Sequence, residues 1–172
     1  STPKMLHNIC GKPMVALVAG AIIGAGIDNI TVVMPQGDSR ISDVIGTGQN
    51  FVEQSEPLGT GHALLEARTS FDGYKGNVLV INGDMPLVTS DTISSLVKSH
   101  ESNGHQLTFL TFDSIIDKDM GRVVRGDDGE ITGIVEREDL VIETGSANEV
   151  NIGVYCFQAP LLWDILAQLP QT

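Results

Sequence analysis

Apolar residues along this chain come in short runs, each closed off by glycine or proline. Met14 to Ala25 is an almost unbroken series of small and aliphatic residues. It predicts a helix entered through Gly11-Lys12-Pro13, with the proline at a first-turn position where its missing N–H costs nothing, and stopped by Gly26. Asn29 to Met34 (NITVVM) is β-branched and lacks a helical period, which predicts a buried strand closed by Pro35-Gln36-Gly37-Asp38. A short helix around Ser39 to Ile45, a strand near Phe51 to Gln54 and a helix over Thr60 to Ser70 follow. Asn77 to Asn82 (NVLVIN) is the most strand-like run and ends in Gly83-Asp84-Met85-Pro86-Leu87. Thr89 or Ser90 then caps a helix whose Ile93, Leu96 and Val97 fall at i, i+3 and i+4, and Gln106 to Phe112 resumes as a strand after Asn103-Gly104. The alternation of strand and helix predicts an α/β fold with a parallel sheet flanked by helices.

Beyond Gly121 the pattern changes. Gly121 to Arg125 and Glu130 to Glu136 flank Gly126-Asp127-Asp128-Gly129 and read as an added β-hairpin. A polar stretch from Arg137 to Glu149, a strand over Val150 to Phe157 and a helix over Pro160 to Leu169 complete the chain. Neither an internal repeat nor a low-complexity tract interrupts this order, so residues 1–172 are expected to form one domain.

Composition narrows the function classes. With 172 residues, 41% of them hydrophobic, the chain can bury a substantial core, and intrinsic disorder is excluded as the main reading. Ten Lys and Arg against 22 Asp and Glu give a formal net charge of −12. That balance argues against nucleic acid or an anionic membrane as partner, because both require a basic surface. Cys10 and Cys156 lie far apart and neither belongs to a paired metal or redox motif. No apolar run is long enough to span a membrane and the opening residues have no signal-peptide core, so a reduced, cytoplasmic setting is expected. Glycine, at 19 residues, is enriched and sits where apolar segments begin or end.

Ligands of open parallel sheets bind at the carboxyl ends of strands, which directs attention to Asp84. Gly83 lets a ligand approach the backbone there, and a carboxylate at that point suits Mg²⁺, which takes one or two carboxylates plus phosphate oxygens. A plain turn and helix cap accounts for the same spacing, and spacing alone leaves both readings open. Leu58-Gly59-Thr60-Gly61-His62 is a second candidate: glycines at a helix N-terminus leave backbone N–H groups for an anion or a base edge, although the segment is neither a GxGxxG fingerprint nor a P-loop and an ordinary connecting loop is the competing reading. Gly20, Gly24 and Gly26 have the wrong spacing for phosphate binding and suit close helix packing. Lys4 and Lys12 supply positive charge near the start, which an acidic protein handling polyphosphates needs.

Pro3-Lys4-Met5-Leu6-His7, Gly11-Lys12-Pro13-Met14, Gln54-Ser55-Glu56-Pro57-Leu58-Gly59-Thr60-Gly61-His62-Ala63, Asn82-Gly83-Asp84-Met85-Pro86-Leu87, Gly121-Arg122-Val123, Ile134-Val135-Glu136 and Glu149-Val150-Asn151-Ile152-Gly153 occur in this order over nearly the whole chain. Together they resemble the uridylyltransferase domain of the bacterial bifunctional UDP-N-acetylglucosamine pyrophosphorylase/glucosamine-1-phosphate acetyltransferase family. The resemblance implies a Rossmann-like nucleotidyltransferase sheet. It also implies that Gln54, Gly59 and Thr60 recognise uracil, that Lys4 binds phosphate, that Asp84 ligates Mg²⁺, and that Gly121, Glu136 and Asn151 hold the N-acetylglucosamine moiety. Asn82 is given only a neighbouring role. The implied substrates are UTP and N-acetylglucosamine 1-phosphate.

The chain departs from that family in two places. The family's opening strand and its glycine-rich loop ending in arginine have no counterpart here, and the segments carrying its second metal ligand and its acetyltransferase β-helix are likewise unmatched. The sheet is therefore expected to lack its first strand, the chain to be an impaired fragment of weak or no activity, and the molecule to be a monomer or weak dimer. Another sugar-1-phosphate nucleotidylyltransferase, or a noncatalytic nucleotide- or sugar-nucleotide-binding module, are the alternatives.

Overall fold

The computed structural model describes residues 2–113, 120–136 and 148–168. Strand β5 (Asn77–Ile81) explains the architecture best, because its two faces bury different things. Side chains alternate across a strand. Val78 and Val80 pack with Ala159, Leu162, Trp163 and Leu166 of helix α5 (Ala159–Leu166), joined by Leu64 and Leu65 of α3 (Thr60–Ala67). Leu79 and Ile81 instead pack against a cluster of Val18 and Ile22 from α1 (Met14–Gly24), Ile30, and Ile93 from α4 (Ser90–Asn103). A strand covered on both sides has no polar face, so NVLVI reads as one continuous apolar run.

Helix α1 buries Met14, Val15, Val18, Ala19 and Ile22, one face at helical spacing, and Pro13 stands at its N-cap, one position before the expected first turn. In α4 the Thr89 side chain accepts from the Thr92 backbone N–H, and Gly104 ends the helix in the left-handed conformation. Strand β3 (Thr31–Pro35) pairs in parallel with β4 (Asn50–Gln54), with short α2 (Arg40–Ile45) between them. These two strands form a sheet of their own, yet Val32 packs against the same α1 and α4 cluster as Leu79 and Ile81.

The second sheet corrects the expectation of a purely parallel arrangement. Strand β9 (Glu149–Gln158) runs antiparallel between β5 and β6 (Leu107–Asp113). Because both neighbours oppose β9, β5 and β6 share one direction, as a strand–helix–strand crossover through α4 requires. The return of β9 between them follows from its composition: Val150, Val154 and Cys156 are fully or almost fully buried, and only a central strand can enclose them.

One edge of β9 is shared by two strands. Residues 154–158 pair with β5, while Val150 pairs with Arg122 of β7 (Arg122–Arg125), itself in a hairpin with β8 (Ile131–Val135). Between these pairings lie Asn151, Ile152 and Gly153, with Gly153 at φ +78 and a register irregularity opposite them in β6. The hairpin and the other predicted elements occur within a few residues of their expected positions. The polar stretch at 137–147 and the expected end of the last helix at 169 lie outside the described residues.

Candidate functional site

The start of the chain folds back onto the end of β5. A 3-10 turn over Lys4–Leu6 leads into a two-residue hairpin, β1 (Asn8–Ile9) and β2 (Lys12–Pro13), whose turn residues Cys10 and Gly11 both take positive φ. The Met14 N–H donates to the His7 carbonyl at 3.1 Å, tying the hairpin to α1. Lys4 Nζ then reaches Asp84 Oδ2 at 2.9 Å. Hydrogen bonding to Asp84, with its negative charge, raises the Lys4 ammonium above its ordinary pKa. The lysine side chain is 77% exposed and the aspartate 30%, so this pair contributes little to stability and leaves its cation free to meet a ligand. A Cβ on Gly83 would lie 3.4 Å from Val15 and 3.7 Å from Met5, ordinary van der Waals distances, so packing alone does not require glycine there.

Where β5 ends, β9 continues past it. Ile81 is opposite Val154, which brings Asn82 against Gly153: the Asn82 amide nitrogen is 3.3 Å from where a Cβ at Gly153 would stand. Asn151 is held from three sides. Its backbone N–H donates to the Gly121 carbonyl at 2.9 Å, its side-chain Nδ2 donates to the Tyr155 hydroxyl at 2.6 Å, and its Oδ1 accepts from the Gly153 N–H at 3.1 Å. A Cβ on Gly121 would be 3.0 Å from Glu136 Oε1. The structure thus brings Gly121, Glu136 and Asn151 together where β5 gives way to β7.

A separate cluster lies at the end of β4. Gln54 Nε2 sits 2.7 Å from His62 Nδ1, and His62 Nε2 is 3.5 Å from Glu66 Oε1 one turn further along α3. Gly59 is the N-cap of α3 at φ +97, a conformation that favours glycine, and makes no side-chain cap. Thr60 opens the helix and is exposed. The first N–H groups of α3 therefore have no side-chain cap acceptor. No hydrogen bond or ion pair joins this cluster to Lys4 and Asp84 among the described residues.

Three contributors escape motif reading. His62 stands in the quoted motif, but its partnership with Gln54 depends on α3 turning back beside β4. Tyr155 is four residues from Asn151, a same-face spacing on a strand that could have been noticed. Arg125 grips Glu149 with two nitrogens, at 2.8 Å and 2.9 Å, while the Thr111 hydroxyl donates to the same carboxylate at 2.8 Å. Those bonds join β6, β7 and β9 and hold the Glu149 carboxyl below its usual pKa, with the arginine hydrogen bond as the main cause. Among the described residues no three His, Cys, Asp or Glu side chains gather as a metal cage, and no helix is long and apolar enough to cross a membrane.

Comparison with known proteins identifies the family. The chain is 38% identical over 166 residues to the bifunctional protein GlmU of Exiguobacterium sibiricum, covering 96% of this chain and 37% of that protein. The corresponding protein of Clostridium tetani is 39% identical over 172 residues, with 98% and 37% covered. The chain thus spans little more than a third of the curated relatives it matches. In fold it resembles a putative glucose-1-phosphate thymidylyltransferase from Bacillus anthracis, with a TM-score of 0.82 at 16% identity over 98% of this chain and 68% of that one. It also resembles a CMP-2-keto-3-deoxy-manno-octonic acid synthetase bound to CTP, with a TM-score of 0.74 at 17% identity over 98% and 72%. The family model described as nucleotidyl transferase matches residues 1–171, and the chain belongs to that family.

Proposed function

We propose that this domain transfers a uridylyl group from UTP to N-acetylglucosamine 1-phosphate and releases pyrophosphate. The observation that supports it most is the Lys4–Asp84 pair in the turn that leaves β5, where Asn82 of the same turn lies against Gly153 of β9. A phosphate bridge can lie between the cation and β9, with the sugar over Gly121, Glu136 and Asn151 and the base over Gln54, Gly59 and Thr60. Identity of 38–39% to GlmU proteins over 96–98% of the chain favours this choice of substrates within the family.

The chemistry asks little of the protein beyond placement. The phosphate oxygen of the sugar phosphate attacks the α-phosphorus of UTP; that O–P bond forms as the bond from the α-phosphorus to the bridging oxygen of pyrophosphate breaks. The nucleophile is already anionic, so no side chain needs to remove a proton. Lys4 offsets the charge spreading over the phosphoryl oxygens, and the remaining residues hold the reactants in line.

Mg²⁺ fits the donor set at Asp84. A single carboxylate, hydrogen-bonded to the Lys4 ammonium, matches a hard cation that takes its remaining ligands from substrate phosphates and water. When bound, the ion would supply further neutralisation of the triphosphate. The test is UTP binding with and without Mg²⁺, comparing the native chain with Asp84→Asn. The expected result is a Mg²⁺-dependent gain in affinity that the variant loses; an unchanged gain would refute the assignment.

A further inference from the structure

We infer that Glu66 and His62 orient the Gln54 amide, and that this orientation selects a base carrying a ring N–H, uracil or thymine, over cytosine. This rests on Gln54 facing the base, as proposed above. The Glu66 carboxylate oxygen lies 3.5 Å from His62 Nε2, on the opposite side of the ring from Gln54. A carboxylate there draws the imidazole proton to Nε2 and leaves Nδ1 with a lone pair. A lone pair can be satisfied only by a donor, so the Gln54 amide turns its NH₂ group to Nδ1, at 2.7 Å. Its carbonyl oxygen must then point the other way.

The direction matters because an amide offers opposite chemistry at its two ends. Uracil and thymine present N3–H, a donor that the Gln54 carbonyl accepts. Cytosine presents N3 as an acceptor, which faces that carbonyl with no proton between them. If the amide could rotate freely it would serve either base, because its NH₂ would donate to cytosine N3. Fixing one rotamer makes the mismatch costly, since a polar group left unpaired in a ligand site loses far more affinity than a neutral contact. His62 and Glu66 are positioning residues in this scheme; neither touches the base.

The test compares UTP, dTTP and CTP affinities by calorimetry for the native chain, His62→Phe, His62→Asn and Glu66→Gln, with thermal unfolding as a control for folding. The native chain is expected to prefer UTP and dTTP over CTP by about tenfold to a hundredfold, the range that one unpaired polar contact supplies. His62→Phe, which keeps a ring but no acceptor, should bring the ratio of UTP to CTP affinity close to one. His62→Asn, whose carbonyl can accept from Gln54, should keep it, and Glu66→Gln should lower it partway. A ratio unmoved in His62→Phe overturns the inference, as does a native chain that favours CTP. Nitrogen-15 spectra of the His62 ring at mildly alkaline pH give a second reading that needs no ligand. A proton on Nε2 is expected, and a proton on Nδ1 overturns the relay even if UTP binds. A native chain that binds none of the three nucleotides, with Nε2 protonated, would count against the functional reading and the base choice together while leaving the tautomer intact.

Discussion

Gly121→Ala is the substitution whose consequence can be worked most directly from the packing. Gly121 is buried just before β7 and its φ is not in the left-handed region, so alanine meets no backbone strain there. The added methyl would instead stand 2.9 Å from Ile134 Cγ2 and 3.0 Å from Glu136 Oε1. The Glu136 oxygen is the far end of a flexible chain and can swing aside at small cost. The Ile134 methyl is branched from Cβ on the paired strand β8, so relief requires an off-rotamer side chain or a shift of the hairpin. Off-rotamer side chains cost about 0.5–1.5 kcal/mol and overpacking about 1–3 kcal/mol. Ile134 is partly exposed and can yield, which places the expected loss near the lower end, about 1–2 kcal/mol. For a chain of this size that lowers Tm by about 2–8 °C. Gly133→Ala is the matched control on the same hairpin, because a Cβ there meets nothing within 4 Å. It should leave Tm unchanged or raise it slightly. The variants are compared by scanning calorimetry and by titration with UDP-N-acetylglucosamine. Gly121→Ala should lose sugar-nucleotide affinity as Glu136 is displaced, while Gly133→Ala keeps it. Equal Tm values and equal affinities in the two variants would refute the reasoning.

Other outcomes follow from burial and charge. Burial pushes the Cys156 thiol up to about 11, whereas Cys10 is exposed, so a thiol reagent at pH 8 should modify one cysteine quickly and the second only on unfolding; two fast equivalents would contradict this. The Glu149 carboxyl is held below its unfolded value by Arg125, so its contribution is present above the ordinary carboxylate range and is lost as pH falls through the lowered folded value. Glu149→Gln should therefore reduce Tm near neutrality and shrink the gap from the native chain in acid. His100 is buried with Nδ1 beside Thr108 and Nε2 without a hydrogen-bond partner among the described residues, and burial lowers its folded pKa. A lowered folded value makes the unfolded chain bind the proton first, so stability should fall as pH drops below the ordinary histidine range. In His100→Gln that slope should flatten, as read by urea unfolding between pH 5 and 8.

Much of the fold is legible in one dimension because local and tertiary demands agree. Met14 to Gly24 is apolar and small throughout between Pro13 and Gly26 and forms a helix that buries one face, and NVLVI is apolar throughout because both its faces are covered. Strand order is less legible. β9 reads as a strand from its sequence, but its direction depends on pairing with β5 and β6, which periodicity does not encode. The site divides in the same way. Asp84 stands out because it follows a buried strand, but its meeting with Lys4 needs the Cys10-Gly11 turn to fold the chain start back, and a non-glycine residue at φ +51 gives little warning of it. His62 is legible as a residue of its motif; its place between Gln54 and Glu66 depends on α3 turning back beside β4.

The central claim is that the strand end around Asp84 and Asn151 receives a uridine diphosphate sugar. Calorimetric titration with UDP-N-acetylglucosamine tests it most directly, with UDP-glucose and CMP as comparisons, in the presence and absence of Mg²⁺. The account predicts one site per chain, tightest for UDP-N-acetylglucosamine and weakened by Asn151→Ala. No binding heat, or affinity indifferent to both base and sugar, would contradict it.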